Sequence, residues 1–388
     1  MVERAHARLA PSAAHRWRKC PGSLALIEQG KAQGIVTDER SPAARAGVVA
    51  MALVEELVRA EGSLDSALPA LLEREDIEPP VDPTELGAET CKGAVAVWEN
   101  WQRRIIGPAN AACAPWAVEA RVTIRRAGTE GTPDIRALLP DRLIVGDLKW
   151  GTGVWVSPRE NAQMTLYASG VADIYELPED FPVVLMVFQP RHHESPPEGF
   201  TMWVTTVGWC HEKAEEWSAF ARDNPDHIET GDHCKFCDAT TFCPARQAEV
   251  AAVLDAEIDG QTNAIREEEA LARILTVAKR VEDLIKASKS RAIAILSAGK
   301  PVPGFRLGNG KSMSVWKAGA EQAARIEYGD EAFVTTLLTP AQARDNLPDG
   351  DEFFRRWSRR VPGNPVVVAD EGAEAAPLDW PAPANRSK

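Results

Sequence analysis

The sequence predicts an α/β protein in which helices flank a central mixed β-sheet and a helical extension follows at the carboxyl end. Short apolar segments rich in β-branched residues alternate with segments of helical periodicity up to residue 250. Beyond that point, residues 264–296 carry apolar side chains at helical spacing with charges between them, which predicts one long amphipathic helix. We therefore expect an α/β domain over 1–250, a helical region over 251–368 and a disordered tail, rich in Ala, Pro and Glu, over 369–388.

The composition is that of an ordinary globular protein. Of the 388 residues, 44% are hydrophobic and 26% are charged, which places the chain outside the membrane and disordered classes. The seven cysteines are an odd number, and no signal-peptide pattern accompanies them. These features predict a reduced, cytoplasmic protein with no membrane partner.

Two helices are predicted in the first sixty residues. Ser12 is the expected cap of a short helix, and residues 43–60 place Val49, Leu53 and Leu57 at helical spacing. The second helix also carries Glu55, which is either a solvent-facing acid or a supplement to a metal site. We favour the solvent-facing interpretation.

The next strands are predicted to form a hairpin that gathers acidic residues. Residues 142–149 are apolar and β-branched, and residues 132–139 should pair with them across a Pro-Asp turn. Because strand side chains alternate between faces, Asp147 and Lys149 share one side. The pairing also brings Asp134 towards Asp147.

Two carboxylates at this range predict a cation site. They repel each other unless a cation lies between them, and Mg²⁺ or Mn²⁺ suits their hard oxygen ligands. Such an ion acidifies water and polarises a phosphoryl oxygen, so phosphodiester hydrolysis becomes feasible at neutral pH. Lys149 would orient that water or stabilise charge on the phosphate. The pattern therefore predicts a metal-dependent nuclease without a covalent intermediate.

A helix is predicted to follow the strand that carries the lysine. Ser157 is expected at its cap and Pro158 at its first position. Gln163 and Tyr167 are four residues apart and so lie on one helical face. An amide and a phenol placed there can contact phosphate or the attacking water, which makes both candidates for positioning the substrate.

The remaining pattern completes the α/β domain and begins the extension. Strands are predicted at 183–189 and 200–207, followed by an amphipathic helix at 209–222. In the extension, residues 303–310 predict a turn-rich hairpin leading to 314–316, and a short helix is predicted near residue 340.

A loop of three cysteines predicts a second metal centre. Cys234, Cys237 and Cys243 are spaced so that their thiolates can converge, but neither zinc nor a cubane cluster is satisfied by three ligands. Cys20 is the best candidate for the fourth, and His233 is the alternative in a local zinc site. The other cysteines lack such spacing and are expected to be small buried residues; they are Cys91, Cys113 and Cys210.

The core motifs, taken in order, resemble the PD-(D/E)XK nuclease superfamily, in particular its RecB-like branch. The residues that carry the resemblance are Gly131, Asp134, Asp147, Lys149, Gln163 and Tyr167. It implies a restriction-endonuclease-like core in which the metal is held by Asp134, Asp147 and the peptide carbonyl of Leu148, with Glu119 as a supporting acid. Where the family often shows Gly-x-x-x-His, this chain has Gly47 and Met51, and a thioether does not suit Mg²⁺.

The cysteine arrangement resembles the iron-sulfur motif of AddB-type and CRISPR-associated RecB-like nucleases. It implies a 4Fe-4S cluster, with Zn²⁺ as the alternative, on Cys20, Cys234, Cys237 and Cys243. Taken whole, the chain resembles an uncharacterised phage and prophage family of RecB-like nucleases, which implies a bacterial host cell.

The resemblance implies a DNA exonuclease or single-strand-processing nuclease in phage replication or recombination. Its expected partners are single-stranded DNA or double-stranded ends, with phage recombination or replication proteins. Met51 and the net charge of −13 favour an alternative, a non-catalytic DNA-binding or recombination scaffold that keeps the nuclease fold. A third hypothesis is a zinc-stapled interaction module with incidental acids. If DNA binds, we expect a basic track at Arg16, Arg18 and Lys19, with Arg125, Arg126 and Arg159 as weaker candidates.

Overall fold

The structure is a computed structural model in which two compact units are recognised, Met1–Ala245 and Arg246–Lys388. It describes residues 8–36, 42–249, 267–309, 313–317, 319–332, 339–340, 343–344, 349–361 and 365–369. Apart from Ala369, the tail predicted over 369–388 lies outside the described residues. In the part of the chain that is described, no helix has the length and apolarity needed to cross a membrane.

Five of the strands in the first unit form one mixed sheet. The strands are β1 (Trp116–Val118), β2 (Val122–Ile124), β3 (Thr129–Gly131), β4 (Ile135–Leu139), β5 (Arg142–Leu148), β6 (Pro182–Phe188) and β7 (Phe200–Thr206). The sheet has the order β1-β4-β5-β6-β7, and β2 pairs with β3 in a separate ribbon. Only β5 and β6 run parallel within the sheet. The predicted α/β class and its central mixed sheet are confirmed.

Helices cover both faces of this sheet. They are α1 (Ala14–Trp17), α2 (Gly22–Ala32), α3 (Pro42–Arg59), α4 (Leu64–Leu72), α5 (Ala88–Trp101), α6 (Gly107–Ala111), α7 (Ala162–Ile174) and α8 (Val207–Asp223). A π-helical segment joins α5 to α6. The helices predicted at 43–60 and 209–222 are confirmed as α3 and α8, with slightly different ends.

Strand alternation divides the hydrophobic core into two layers. Ile144 of β5 packs in the layer that contains α3 and α5, including the fully buried Trp101. Leu143, the neighbouring residue, packs in the opposite layer with α7 and α8. Because side chains alternate along a strand, Asp147 and Lys149 lie on the same face as Leu143. The end of β5 therefore presents both residues towards α7.

The predicted hairpin between β4 and β5 is confirmed, although β4 begins three residues later than expected. The strands are antiparallel, with Ile135 opposite Gly146. A Cβ atom at Gly146 would lie 2.6 Å from Cγ2 of Ile135, so glycine permits this close pairing. Extending the register by one step places Asp134 opposite Asp147.

The start of α7 differs from the prediction at Ser157. Glu160 has a φ of +53°, in the left-handed region, so a helix cannot run through it. The helix instead begins after Asn161, whose side chain accepts a hydrogen bond from the backbone N–H of Met164 at 3.2 Å. Ser157 Oγ accepts from the N–H of Arg159 and shapes the turn before the helix. Both Ser157 and Pro158 therefore lie outside α7.

Ser12 is also not a helix cap. It lies within a short 3₁₀ turn, Pro11–Ala13, and α1 begins directly after that turn. No side-chain hydrogen bond caps α1, whose N-cap residue is Ala13.

The second unit contains strands as well as the predicted long helix. Its described elements are α9 (Glu267–Ser297), β8 (Phe305–Asn309), β9 (Met313–Trp316), α10 (Ala320–Tyr328), α11 (Gly350–Trp357), β10 (Ser358–Val361) and β11 (Pro365–Ala369). The predicted hairpin linking β8 to β9 is wrong, since β8 pairs with β11 and β9 with β10. The turn residues in this segment indicated the strands β8 and β9, but they gave no information about the partner strands further along the chain. Most of the short helix predicted near residue 340 lies outside the described residues.

Candidate functional site

The acidic residue before β4 is held against the end of β5. A carboxylate oxygen of Asp134 accepts a hydrogen bond from the backbone N–H of Leu148. The carbonyl of Asp134 accepts another from the N–H of Glu119, at 3.1 Å. These contacts bring together three backbone segments that are distant in sequence. The peptide between Asp147 and Lys149 therefore lies directly beside the Asp134 carboxylate.

Lys149 is the centre of a chain of polar contacts. Its Nζ lies 2.7 Å from Oδ2 of Asp147, whose side chain is only 2% exposed. The same Nζ donates a hydrogen bond to Oε1 of Gln163 at 3.0 Å, and Nε2 of Gln163 donates to the Tyr167 hydroxyl at 3.3 Å. The structure thus brings together Asp147, Lys149, Gln163 and Tyr167 between the end of β5 and the first turns of α7.

Burial and neighbouring charges shift the pKa values of the groups in this site. Burial, followed by the nearby charge of Asp147, raises the pKa of Asp134 well above its usual range. Burial opposes the charge of Lys149, but attraction to Asp147 and Asp134 outweighs it and raises the pKa of the ammonium. Burial also raises the pKa of Tyr167, so that phenol stays protonated at neutral pH. If both aspartates ionised, their negative charge would exceed what Lys149 alone neutralises.

Glu119 joins the same cluster from the end of β1. Glu119 adopts a φ of +50° just after β1 ends, so it lies outside regular strand geometry. The residue keeps an exposed surface, yet desolvation of its carboxylate and, next, the charge of Glu55 raise its pKa to about 7. Asp147 contributes to this rise as well, whereas Arg74 opposes it.

Replacing Glu119 by Gln is expected to change how stability depends on pH. The pKa of Glu119 is about 7 in the folded chain, above its ordinary value of 4.5. An acid whose folded pKa is raised weakens the fold as pH rises from 4.5 to 7. In metal-free buffer, Glu119→Gln should therefore be about 1 kcal/mol more stable than wild type at pH 8 and equally stable near pH 4. The difference at pH 8 is small because solvent screens the charge of this exposed residue. Urea unfolding at both pH values checks this, and a pH-independent difference would contradict it.

Glu55 is buried, so the prediction that it faces solvent is wrong. Its carboxylate lies 2.6 Å from Nη1 of Arg74 and 3.3 Å from Nη2 of Arg59. Glu56 is also buried and contacts both arginines. Arg74, in the loop after α4, offsets the cost of burying these two carboxylates. The helical periodicity of α3 gives no information about a partner outside that helix.

Two glycines singled out by the motif comparison differ in what they do. A Cβ atom at Gly131 would lie 2.6 Å from Cε1 of Tyr167, so glycine lets the phenol approach β3. At Gly47 a Cβ atom would meet nothing closer than 3.9 Å, so space does not require glycine there. Met51, one turn further along α3, packs against the hydrophobic layer that contains α3 and α5.

A buried amide that sequence reasoning missed fixes the loop after Lys149. Gln189 is 1% exposed, and its Nε2 donates to the carbonyls of Gly151 at 3.1 Å and Val154 at 2.7 Å. Its Oε1 accepts a hydrogen bond from the N–H of Val156 at 3.1 Å. The only sequence signal was its place as the first polar residue after the apolar run of β6.

The amino-terminal cysteine lies beside the cysteine loop. Cys20, Cys234 and Cys243 are buried and Cys237 is half-buried. Burial raises the pKa of Cys237 to about 11, with Cys234 and Cys20 adding to the rise. An interaction with the Cys20 sulfur is also the largest contribution that raises the pKa of His233. Both of the proposed fourth ligands, Cys20 and His233, are therefore near the loop.

The remaining cysteines only partly follow the prediction that they are buried. Cys210 is buried and has a pKa raised to about 12 by desolvation, as a structural thiol should. Cys91 is half-buried. Cys113 is exposed, which contradicts the prediction, because it lies in the turn after α6 with a φ of +50°.

Both clusters provide suitable donors, although neither is a preformed metal site. Within the described ranges, no group of three His, Cys, Asp or Glu side chains is arranged so that it could hold a metal ion. At the acidic cluster, burial and, next, the charge of neighbouring carboxylates raise the pKa values of Asp134 and Glu119, and a divalent cation would offset that repulsion. At the cysteine loop, soft thiols suit iron-sulfur or zinc. Binding at either place requires the side chains to close in.

Three arginines of the predicted basic track contact other residues of the chain. Arg16 is buried and lies 4.0 Å from Asp238, and Arg18 stacks over Trp217 at 4.7 Å. Arg126 lies among Asp173, Glu179 and His211. The remaining predicted cations are exposed, and they are Lys19, Arg125 and Arg159.

Two comparisons relate the chain to known proteins. A family model described as "Protein of unknown function (DUF2800)" matches residues 6–371. A solved structure described as "Crystal structure of SSO0001" aligns with 57% of this chain and 95% of that chain, at 12% identity and a TM-score of 0.26. A TM-score of this size does not establish a common fold.

Proposed function

The chain belongs to the DUF2800 family of proteins of unknown function, and we propose that it is a divalent-metal-dependent nuclease that hydrolyses phosphodiester bonds in DNA. One observation carries the proposal. The Asp147–Lys149 pair at the end of β5 is joined to Gln163 and lies beside Asp134, whose carboxylate contacts the peptide N–H of Leu148. The resemblance of the motif order to RecB-like PD-(D/E)XK nucleases supports the same conclusion.

The acidic side chains are the proposed cation ligands. Asp134 and Asp147, with the carbonyl of Leu148, would hold Mg²⁺ or Mn²⁺, and Glu119 would support them. When bound, such a cation supplies an acidified water and polarises a phosphoryl oxygen. The raised pKa values of Asp134 and Glu119 support a dication at this position, because a bound cation would stabilise the ionised carboxylates against burial and their mutual repulsion.

The remaining polar residues hold and orient the reactants. Asp147 and Gln163 fix the Lys149 ammonium in place, so that it can orient the attacking water or stabilise charge on the phosphate. Tyr167 stays protonated and can donate a hydrogen bond to a phosphate oxygen. Water then attacks phosphorus and the P–O bond to the leaving nucleotide breaks, with no covalent bond to the protein.

The proposal predicts DNA cleavage that depends on both metal and Asp134. Purified wild-type chain is incubated with end-labelled single-stranded and double-stranded DNA in Mg²⁺, Mn²⁺ or EDTA. We expect products only with the divalent ions, and at least a ~10²-fold lower rate for Asp134→Asn because its charge holds the cation. Asp141→Asn is the matched control, since Asp141 is an exposed acid at the turn of the same hairpin.

The outcome also separates the proposal from its main alternative. Equal rates for wild type and Asp134→Asn would refute the site assignment. Salt-sensitive DNA binding without product in any metal would favour the non-catalytic scaffold, for which the core-packed Met51 is the supporting observation.

We further propose that Cys20 and the cysteine loop bind a 4Fe-4S cluster, with Zn²⁺ as the alternative. The neighbourhood of Cys20, Cys234 and Cys237 supports a shared centre. Bound there, a cluster would tie the amino-terminal segment to residues after α8. A hydrogen bond from the N–H of Gly22 to the carbonyl of His227, at 2.8 Å, already joins these segments.

Anaerobic purification tests the cluster. The wild-type protein is expected to be brown and to carry on the order of four iron atoms per chain. Cys237→Ser should lose the iron and unfold at a lower temperature than wild type. Cys113→Ser, which removes an exposed thiol, should keep the iron content and the unfolding temperature of wild type. A colourless protein containing zinc would establish the alternative, and one containing neither metal would refute the centre.

A further inference from the structure

Three aromatic side chains contact one another in succession on the loops that follow β5 and β6. The rings of Trp155 and His192 have centroids 5.3 Å apart and are tilted by 46°. Those of His192 and His193 are stacked, with centroids 4.5 Å apart and planes 29° apart. His192 is buried, but the side chain of His193 is 78% exposed. Trp155, at the other end of the row, is half-buried, so of the three rings His193 presents the most surface to solvent.

The row lies at the same edge of the sheet as the acidic cluster. Its rings belong to the loops that follow β5 and β6, which are parallel neighbours with Leu148 opposite Phe188. Parallel strands end at the same edge, so these loops emerge together. The N–H of Lys149 also donates to the carbonyl of Phe188 at 2.8 Å. The rings are consequently held on the backbone that carries Asp147 and Lys149.

Gln189 fixes the two loops to each other. Its three hydrogen bonds to Gly151, Val154 and Val156 join the start of the second loop to most of the first. An aromatic surface held in this way is ordered before any ligand arrives, which lowers the entropy cost of binding. His192 lies between the rings of Trp155 and His193 and accepts a hydrogen bond at Nδ1 from the N–H of Glu194, so its ring supports the exposed imidazole of His193 from behind.

We propose that Trp155, His192 and His193 form a stacking platform for one unpaired nucleobase of the DNA strand whose phosphate lies at the acidic cluster. The inference rests on the proposed nuclease function and assigns its substrate class. Every base presents a π-face for stacking, but in a blunt duplex that face is already covered by its neighbours. The platform therefore selects single-stranded DNA or frayed ends over blunt duplex.

Binding measured without cleavage tests the platform. Fluorescence anisotropy in EDTA compares a labelled single strand with a blunt duplex of the same sequence. We expect His193→Ala to weaken single-strand binding by about five- to one-hundred-fold and to leave duplex binding unchanged. The control is His227→Ala, which removes another partly exposed imidazole that contacts a ring, Phe220, and a glutamate, Glu229.

An abasic scan shows whether the lost energy comes from a base. Single strands that lack one base at successive positions are titrated against wild type and His193→Ala. At one position, removing the base should weaken binding by wild type as much as the substitution His193→Ala does. Binding by His193→Ala should be almost unchanged when the same base is removed. If the substitution merely disturbed the loop, His193→Ala would lose as much affinity as wild type does on removal of each base, at every position.

The results separate this inference from the nuclease proposal. Metal-dependent cleavage by wild type, together with unchanged single-strand affinity of His193→Ala, would overturn the platform and leave the nuclease standing. Base-dependent loss of binding without cleavage in any metal would uphold the platform and overturn the nuclease. Equal losses on single strand and duplex, or no DNA binding by wild type, would overturn the platform.

Discussion

Asp147→Asn is expected to lower metal-dependent DNA cleavage roughly 10³-fold, the upper end of what one preorganised electrostatic group contributes. The side chain is 2% exposed and lies 2.7 Å from the Lys149 ammonium. An amide of the same shape cannot hold a dication or keep Lys149 charged and oriented. The substitution therefore removes charge from the centre of the site without creating a cavity.

The fold of Asp147→Asn is expected to survive. The variant loses its attraction to Lys149, but it also relieves the repulsion that raises the pKa of Asp134. These effects oppose each other, so the unfolding temperature in metal-free buffer should change little. Initial rates and circular dichroism melts provide the two measurements. Asp180→Asn, which changes an exposed acid before β6, serves as the control, and a variant that retains more than a tenth of the wild-type rate would contradict the assignment.

Arg74→Met is expected to destabilise the first unit by about 3–5 kcal/mol at pH 8, the cost of leaving buried charge without its partner. The Arg74 side chain is 17% exposed and lies 2.6 Å from Glu55 and 3.5 Å from Glu56. Without it, both buried acids depend on Arg59, which is 60% exposed.

Urea unfolding followed by tryptophan fluorescence measures this loss. The matched control is Arg142→Met, since Arg142 is 48% exposed and its pair with Asp141 should contribute less than about 1 kcal/mol. A double variant, Arg74→Met with Glu55→Gln, should recover part of the stability by removing one buried charge. An equal loss for Arg74→Met and Arg142→Met would show that the buried network is not what stabilises α3.

Local periodicity predicted the parts of the site that depend only on local geometry. Alternation along β5 placed Asp147 and Lys149 on one side, and a spacing of four placed Gln163 and Tyr167 on one helical face. The hairpin of β4 and β5 followed from a turn signal between two apolar runs. Each of these relations spans only a few residues of regular backbone.

Predictions failed where the outcome depended on a residue distant in sequence or on one backbone angle. Glu55 is buried because Arg74, 19 residues away, pairs with it. The start of α7 shifted to Asn161 because Glu160 adopts a left-handed conformation. Strands β8 and β9 pair with residues 42 to 64 positions further along the chain rather than with each other.

The amino-acid sequence by itself determined the α/β class, the hairpin of β4 and β5 and the chemistry available at the end of β5. Tertiary structure decided which further groups meet the residues of that hairpin. The parallel pairing of β5 with β6 brings Gln189 to the loop after Lys149 and sets His192 beside Trp155. The physical reason is that periodicity reports which face a side chain occupies, whereas contacts across a sheet depend on how the whole core packs.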